Sequence, residues 1–444
     1  MKKKRIGAFV WNHFTNDARV LRECTALAEA GYDVDLIAID DPKDKNLKRF
    51  EEINGFNVIR VTRYPKYLIF TKKVLSFIKK NKISILPLAV VFAMGFAYFT
   101  ILTLIIALYL FIIAFGKTRA LLIKLHIILQ MIIYGIKGNY DVYHSNDLNT
   151  LPQGYICSKV IRKRKLVYDS HEVQTSRTGY SGKVYYIEKF FVKRVDKMMM
   201  TTKTRADYTE DLYKISNIEV IHNYPFNTGD ESINNKYDLY KILDIPKNEP
   251  ILLYQGGIQQ GRGLENIVQA IPYFKRGITV FIGDGKIKPK IKEMVSKLDV
   301  EDKVRFLNKV PVNELKYYTA NAYLGFQVLN NVCFNHYSAL SNKLFEYIMS
   351  DIPVVACNFP EIKRVVEGEK IGICIDSHDY KEIANAVNRI LENKSLHEEF
   401  KKNCKKTKKK YNWDNEKLKF VNIYDDLLNE TEINIIDDDI SIGV

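Results

Sequence analysis

The stretch SALSNKLFEYIMSDIPVVACNFPEI, residues 338–362, decides how the chain is read. Small polar residues, Ser338, Ser341 and Asn342, precede a run that reads as a helix. Glu346 falls about one turn inside it, and Ile352-Pro353-Val354-Val355 follows. The unpaired N–H groups at a helix start attract anions, so this one suits a diphosphate. A carboxylate at Glu346 can accept hydrogen bonds from two vicinal ribose hydroxyls. The alternative for Glu346 is an ordinary solvated helix carboxylate.

Working outward toward the N-terminus, Tyr323–Gln327, Val304–Phe306 and Thr279–Ile282 read as buried strands, the last ending in Gly283-Asp284-Gly285. Ile251–Gln255 is a further strand. It runs straight into GGIQQGRG, Gly256–Gly263, and a helix opens at Leu264. Backbone N–H groups of such a loop can hold phosphate, and Arg262 adds a cation. The pattern is neither G-x-G-x-x-G nor the Walker loop, so dinucleotide and ATPase readings lose support. A plain tight turn also explains the glycines. Asn227–Glu249 is polar and reads as an inter-domain connection.

The N-terminal half repeats the alternation. Arg5–Trp11, Asp33–Ile39, Val58–Val61, Asp141–His144, Lys165–Tyr168, Lys197–Thr201 and Glu219–His222 read as strands. Helices are expected at Asn16–Gly31, Thr150–Ile161 and Tyr185–Val195. This order implies parallel sheets, and ligands of such sheets sit beyond the carboxyl ends of strands. Three polar clusters fall there: the turn with Asn16 and Asp17, Ser145-Asn146-Asp147, and Asp169-Ser170-His171-Glu172. Each alone is compatible with turn chemistry. His171 beside Glu172 is a pair able to hold a sugar hydroxyl, or a structural histidine.

One segment breaks the pattern. Ile83–Phe115 carries no charged residue, and a second apolar stretch, Ala120–Ile136, contains Lys124 and His126. A spanning helix needs about 20 apolar residues, so the first run is long enough. The bland reading is a buried core helix. The flanks both read as one soluble α/β domain, so the insert must leave and return on the same face of a membrane. A re-entrant hairpin and two full spans both satisfy that, and Lys124 sits badly in a full span. Arg60, Arg63, Lys66, Lys72, Lys73, Lys79, Lys80 and Lys82 precede the run without an intervening acid. They suit the cytoplasmic side and anionic headgroups.

The remaining bounds are coarse. The chain has 444 residues and a formal net charge of +15, with 47% hydrophobic and 27% charged residues, which fits two globular domains. Six scattered cysteines without a CxxC pair suggest neither a disulfide framework nor a zinc cluster. No nucleic-acid-binding motif accompanies the basic cluster. The acidic end, 429–444, is expected to be loosely held.

The combined pattern resembles the GT-B glycosyltransferases, in particular the retaining family 4 (group 1). The resemblance rests on NDARVLRECTALAEAGYDVDLIA, DVYHSNDLNTLP, LVYDSHE, GGIQQGRGLENIVQAI and FIGDG, and above all on SNKLFEYIMSDIPVVACNFPEI. WDNEKLKFVNIYDDLL looks like the family's closing helix. The resemblance implies an α/β chain of two Rossmann-like domains facing a cleft, with the membrane insert as an addition. The expected division is 1–225 (insert about 67–138), 226–410, a closing helix at 411–428 and the tail.

It also implies a nucleotide-diphosphate sugar as donor, a lipid-linked or membrane-delivered acceptor, retention, and a place in polysaccharide or glycolipid assembly at the cytoplasmic face of a membrane. No metal or other cofactor is expected. Donor contacts are expected from Gly256, Gly257, Arg262, Gly283, Ser341, Asn342, Lys343 and Glu346. His171, Arg262 and Glu346 take the catalytic positions, and Asn16, Asp17, Asn146, Asp147 and Glu172 lie on the acceptor side. Two positions depart from the family. Ser338 stands where the first glutamate of E-x7-E belongs, and Gly257 stands where an arginine is frequent. The rival readings are a non-catalytic GT-B subunit and a nucleotide-sugar epimerase.

Overall fold

A computed structural model describes residues 3–81, 115–177, 179–227 and 236–441, together with 90, 93, 94, 98–101, 103–105 and 109. Most of the charge-free run, and the last three residues of the tail, lie outside the described residues. The chain divides into two compact units, 1–169 with 427–444, and 170–426.

In the first unit the strands are β1 (Arg5–Phe9), β2 (Asp33–Ile39), β3 (Phe50–Ile53), β4 (Phe56–Val61), β5 (Val142–Asn146) and β6 (Lys165–Ser170), in the spatial order β3-β4-β2-β1-β5-β6. All pair in parallel except β3, which joins β4 as an antiparallel hairpin. Two residues turn it, Asn54 and Gly55, both at positive φ. Asn-Gly is the pair that such a hairpin turn demands. The helix after β1, Ala18–Glu29, starts where Asp17 caps it through the Val20 amide.

The Gly116–Gly138 helix replaces the second apolar stretch of the insert. By length and composition it is apolar enough to cross a membrane. Yet Ile127, Met131 and Gly135 are buried, and the helix touches β1, β2 and β4. A Cβ on Gly135 would lie 2.7 Å from Cys157 Sγ and 2.8 Å from Phe9. His126 lies 3.1 Å from Thr62 Oγ1, and Arg49 donates to the Tyr134 hydroxyl. The opposite face, Leu121, Leu125, Leu129 and Ile133, is exposed at four-residue spacing. One stripe therefore packs on the sheet and the other has no cover within the described residues.

Beneath the sheet's carboxyl edge lies a buried ion pair. Arg19 grips Asp169 through Nε and Nη2 at 2.9 and 2.6 Å, and Glu23 lies 2.8 Å from the same guanidinium. Burial opposes the Arg19 charge, and the two carboxylates more than restore it, raising its pKa. The pair links the first helix to the end of β6.

The second unit holds the parallel pair β7 (Lys197–Met200) and β8 (Glu219–Val220). It also holds a fully parallel sheet of β9 (Ile251–Gln255), β10 (Ile278–Ile282), β11 (Val304–Leu307), β12 (Leu324–Gln327), β13 (Val354–Cys357) and β14 (Gly372–Ile375). The order is β11-β10-β9-β12-β13-β14, so the strand order reverses at β9. Successive residues of β9 feed opposite cores. Leu252 and Tyr254 enter one, Ile251 and Leu253 the other. Burial on both faces explains the continuous apolar runs.

The division after Asp169 differs from the boundary expected at 225/226. Polar ties hold 170–225 to the later sequence. Arg205 donates to Ser338 Oγ and to the Asn335 carbonyl, and Thr204 bonds Glu361 through both its amide and its hydroxyl. His222 bonds Glu416. The expected closing helix runs Trp413–Ser441, longer than anticipated, into the acidic segment.

Removing one partner of a buried ion pair leaves the other charge uncompensated, at a cost of about 3–5 kcal/mol. Arg19→Met, which strands both Asp169 and Glu23, is therefore expected to lower the urea midpoint sharply. The charge-free triple variant Arg19→Met/Glu23→Leu/Asp169→Val is expected to recover most of that loss.

Candidate active site

β9 ends at the reversal point of its sheet, where open α/β sheets place their ligands. A cavity of about 610 Å³ opens there, entirely within the second unit. All eight expected donor positions line it: Gly256, Gly257, Arg262, Gly283, Ser341, Asn342, Lys343 and Glu346.

The floor is backbone. Gly256 donates to the Ile282 carbonyl, and a Cβ on Gly283 would lie 2.0 Å from the Gly256 oxygen. Gly283 also has φ +147. Only glycine fits that crossing. Gly257 is different, because its Cβ would meet nothing closer than 3.5 Å. The arginine frequent in the family is thus not excluded by space. Gly263, at φ +71, turns the loop into the Leu264–Ala270 helix and leaves Arg262 on the cavity wall.

The Asn342–Met349 helix presents Lys343 and Glu346. Its first-turn amides have no side-chain cap from Ser341. Leu344, Phe345, Tyr347 and Ile348 bury its inner face. Tyr347 hydrogen-bonds the β9 backbone at Leu253 and so fixes the helix against the sheet. Lys343 is buried, and its Nζ lies 4.2 Å over the Tyr254 ring without a hydrogen bond among the described residues. Burial, then Arg262, bring its pKa down to about 7. Glu346 accepts from Gln255 Nε2 at 2.7 Å, and Gln255 Oε1 accepts from Thr319 at 2.7 Å. Burial raises the Glu346 pKa.

Residues the sequence reading passed over also build the wall. Arg205 donates to the His171 carbonyl at 2.7 Å, to Thr201 and to Asn335. Asn335 exchanges two bonds with the Val173 backbone. His336 lines the cavity, with its pKa lowered chiefly by burial. Lys309 and Val310 close the far side. Gln255 had one local signal, a polar residue ending an apolar strand. Arg205 and Asn335 had none, since each acts through a partner distant in sequence.

The other expected positions are distributed differently. Glu172 lines the cavity and pairs with Arg177 at 3.3 Å. His171 is half-buried, outside the cavity lining, and contributes its carbonyl to Arg205. Ser338 is fully buried outside the lining, donating to Phe334 and accepting from Arg205. The position of the family glutamate is thus a structural tie in this chain. Asn16, Asp17, Asn146 and Asp147 belong to the first unit. Asn16 is exposed and Asp17 caps a helix. Asn146 is buried with its amide on the Phe9 carbonyl, and Asp147, at φ +61, bonds the Asp169 carbonyl through its amide.

Among the described residues one group has metal-ligand geometry, Glu23, His144 and Asp169. The Arg19 guanidinium already sits on two of its carboxylates, which supplies the positive charge there.

Comparison with known proteins places this geometry. Residues 236–407 match the family model for glycosyl transferases group 1. An uncharacterized glycosyltransferase of Methanocaldococcus jannaschii is 25% identical over 310 residues, 65% of this chain and 77% of that protein. Sucrose-phosphate synthase from Thermosynechococcus elongatus shares the fold, with a TM-score of 0.68 and 17% identity, over 96% of this chain and 100% of that one. Anabaena HepE, solved with UDP and glucose, gives 0.66 and 13% over 95% and 100%. The fold is the α/β GT-B fold, the chain is a glycosyl transferase, and its residues 236–407 are similar to the group 1 enzymes.

Open space at Gly257 makes one substitution informative. Gly257→Arg is expected to fold normally and to tighten nucleotide-sugar binding about tenfold, the worth of one charge-assisted hydrogen bond. Calorimetric titration beside the wild type measures it.

Proposed function

We propose that this enzyme transfers a sugar, with retention, from a nucleoside-diphosphate sugar to an acceptor carried by a membrane lipid. The observation that carries the donor half is the convergence of eight expected positions, the basic residues Arg262 and Lys343 among them, on one cavity. In this reading Glu346 accepts the ribose hydroxyls, held in place by Gln255 and Thr319. Departure of the diphosphate from the anomeric carbon is the demanding step. Arg262, Lys343 and the uncapped helix start at Asn342 are placed to stabilise the developing charge, and such preorganised groups are usually the largest catalytic contribution. The acceptor hydroxyl then attacks the face the diphosphate leaves and passes its proton to the departing phosphate oxygen, so configuration is kept. These cations do the work that a metal would otherwise do, so the reading invokes no cofactor.

The acceptor half rests on the insert. Tyr109, near the end of the charge-free run, packs its ring 5.9 Å from Tyr67 and its hydroxyl 3.0 Å from Thr71. The chain thus comes back to the Lys66–Lys80 helix from which it departs. Tyr67, Phe70 and Phe77 of that helix are exposed among lysines, as are Met94, Tyr98, Phe99, Ile101 and Leu104 beyond it. The next apolar helix, Gly116–Gly138, packs one stripe on the sheet. Those contacts favour a re-entrant hairpin over two full spans. We place the enzyme on the cytoplasmic face of a membrane, with its cations toward anionic headgroups. That location suits assembly of a lipid-linked glycan or glycolipid.

Donor hydrolysis by the detergent-purified chain across UDP-, GDP-, ADP- and TDP-sugars tests the donor half. One donor is expected to turn over, and Glu346→Ala and Arg262→Ala are each expected to slow it by about 100-fold or more. Turnover indifferent to both substitutions would remove the cavity from the mechanism. Vesicle flotation tests the acceptor half. The intact chain is expected to float with anionic vesicles, and a variant with residues 82–114 replaced by a short flexible linker is expected to stay at the bottom of the gradient. Equal flotation of both would move the membrane contact elsewhere.

A further inference from the structure

Lys343 is the second residue of its helix, and its stem passes over Gly256, 3.4 Å from where a Cβ there would stand. Its Nζ is therefore fixed where the glycine loop meets the helix start. It is buried, lies against the face of Tyr254, and has no acceptor among the described residues. An ammonium brings three donors to such a place, and a buried donor without an acceptor is costly. A neutral amine there costs far less.

Of the surrounding charges, Arg262 acts most strongly, and in the same direction. Arg262 on the glycine loop repels a second positive charge. Glu346, one turn along the helix, favours it, but burial disfavours the Glu346 carboxylate and Gln255 already engages it. Cys357 on β13 is pushed up to about 11 by burial and is uncharged. The Tyr254 phenol on β9 is also raised by burial and uncharged. Burial and Arg262 together leave Lys343 with a pKa of about 7 in the empty cavity.

We propose that Lys343 couples donor capture to a proton: it waits as a neutral amine and becomes an ammonium, hydrogen-bonded to phosphate oxygen, when the diphosphate enters. The inference rests on the donor-site reading above. The balance is simple. The nitrogen lone pair takes one proton from solvent, one N–H bond forms, and nothing is oxidised or reduced. The proton returns to solvent when the nucleoside diphosphate leaves. The empty cavity is thereby spared a buried charge beside Arg262. A ligand without the diphosphate charge brings no proton in and gains nothing from Lys343.

The test titrates the detergent-solubilised full chain with UDP-glucose, and with GDP-, ADP- and TDP-sugars, from pH 6 to 8.5. Buffers of different protonation enthalpy report the protons exchanged. The diphosphate of a nucleotide-sugar is fully ionised throughout, so the protons belong to the protein. Uptake is expected to be small at pH 6 and to approach about 0.9 proton at pH 8, with affinity falling toward about tenfold per pH unit. The sign follows from the empty-site pKa lying below that of the complex. Lys343→Met is expected to abolish both the uptake and the slope. Lys343→Arg, always charged, is expected to abolish the uptake and keep the affinity. Glu346→Gln and His336→Gln remove the other cavity groups able to trade a proton in this range, and each is expected to preserve the uptake. Binding without proton exchange in both wild type and Glu346→Gln overturns the proposal, as does uptake that survives Lys343→Met. Failure of every nucleotide-sugar to bind would instead sink the donor-site reading itself.

Discussion

The crossing of Gly256 and Gly283 is the contact on which the candidate site depends. There the ends of β9 and β10 approach so closely that a Cβ on Gly283 would enter the Gly256 carbonyl. With no side chain on either, the cavity floor is bare peptide, and the stem of Lys343 can lie across it. Any side chain on Gly283 would drive the two strand ends apart. Gln255 sits one residue before Gly256, so the same movement would carry off the amide that holds Glu346.

That amide belongs to a short relay, Thr319 to Gln255 to Glu346. Each member is buried or nearly so, and hydrogen bonds in such low-dielectric surroundings orient strongly. A second relay, through Arg205, ties Ser338, Asn335 and the His171 carbonyl. It uses the serine that stands in the glutamate position of E-x7-E. The two relays divide the labour. One orients a carboxylate toward the cavity, and the other builds wall from elements far apart in the chain.

The lining of the candidate cavity was legible in the sequence because its chemistry is local. A glycine loop after a strand and a helix start bearing Lys343 and Glu346 are each read within ten residues. The parallel pairing was legible in kind, since continuous apolar runs such as Ile251–Tyr254 signal burial on both faces. The β3–β4 hairpin was missed although Asn54-Gly55 announces it, because Phe50–Ile53 is short and half charged. Asn146 and Asp17 looked like site residues because polar side chains at strand ends serve both ligands and caps. The division after Asp169 was out of reach, as it follows from side-chain ties across more than 130 residues. Arg205 was missed for the same reason.

The Gly116–Gly138 helix has one more consequence. Its Gly135 is wedged against Phe9 and Cys157 with no room for a methyl group, while Leu121 near its other end stands clear. About 21 Å of rise separates the two, at about 1.5 Å per residue. On the membrane-anchored reading, this helix is a rigid gauge. It sets the clearance of the first unit's sheet above the lipid by covalent geometry. Ionic strength would then govern how often the enzyme docks, and the length of one helix would govern how high it rides.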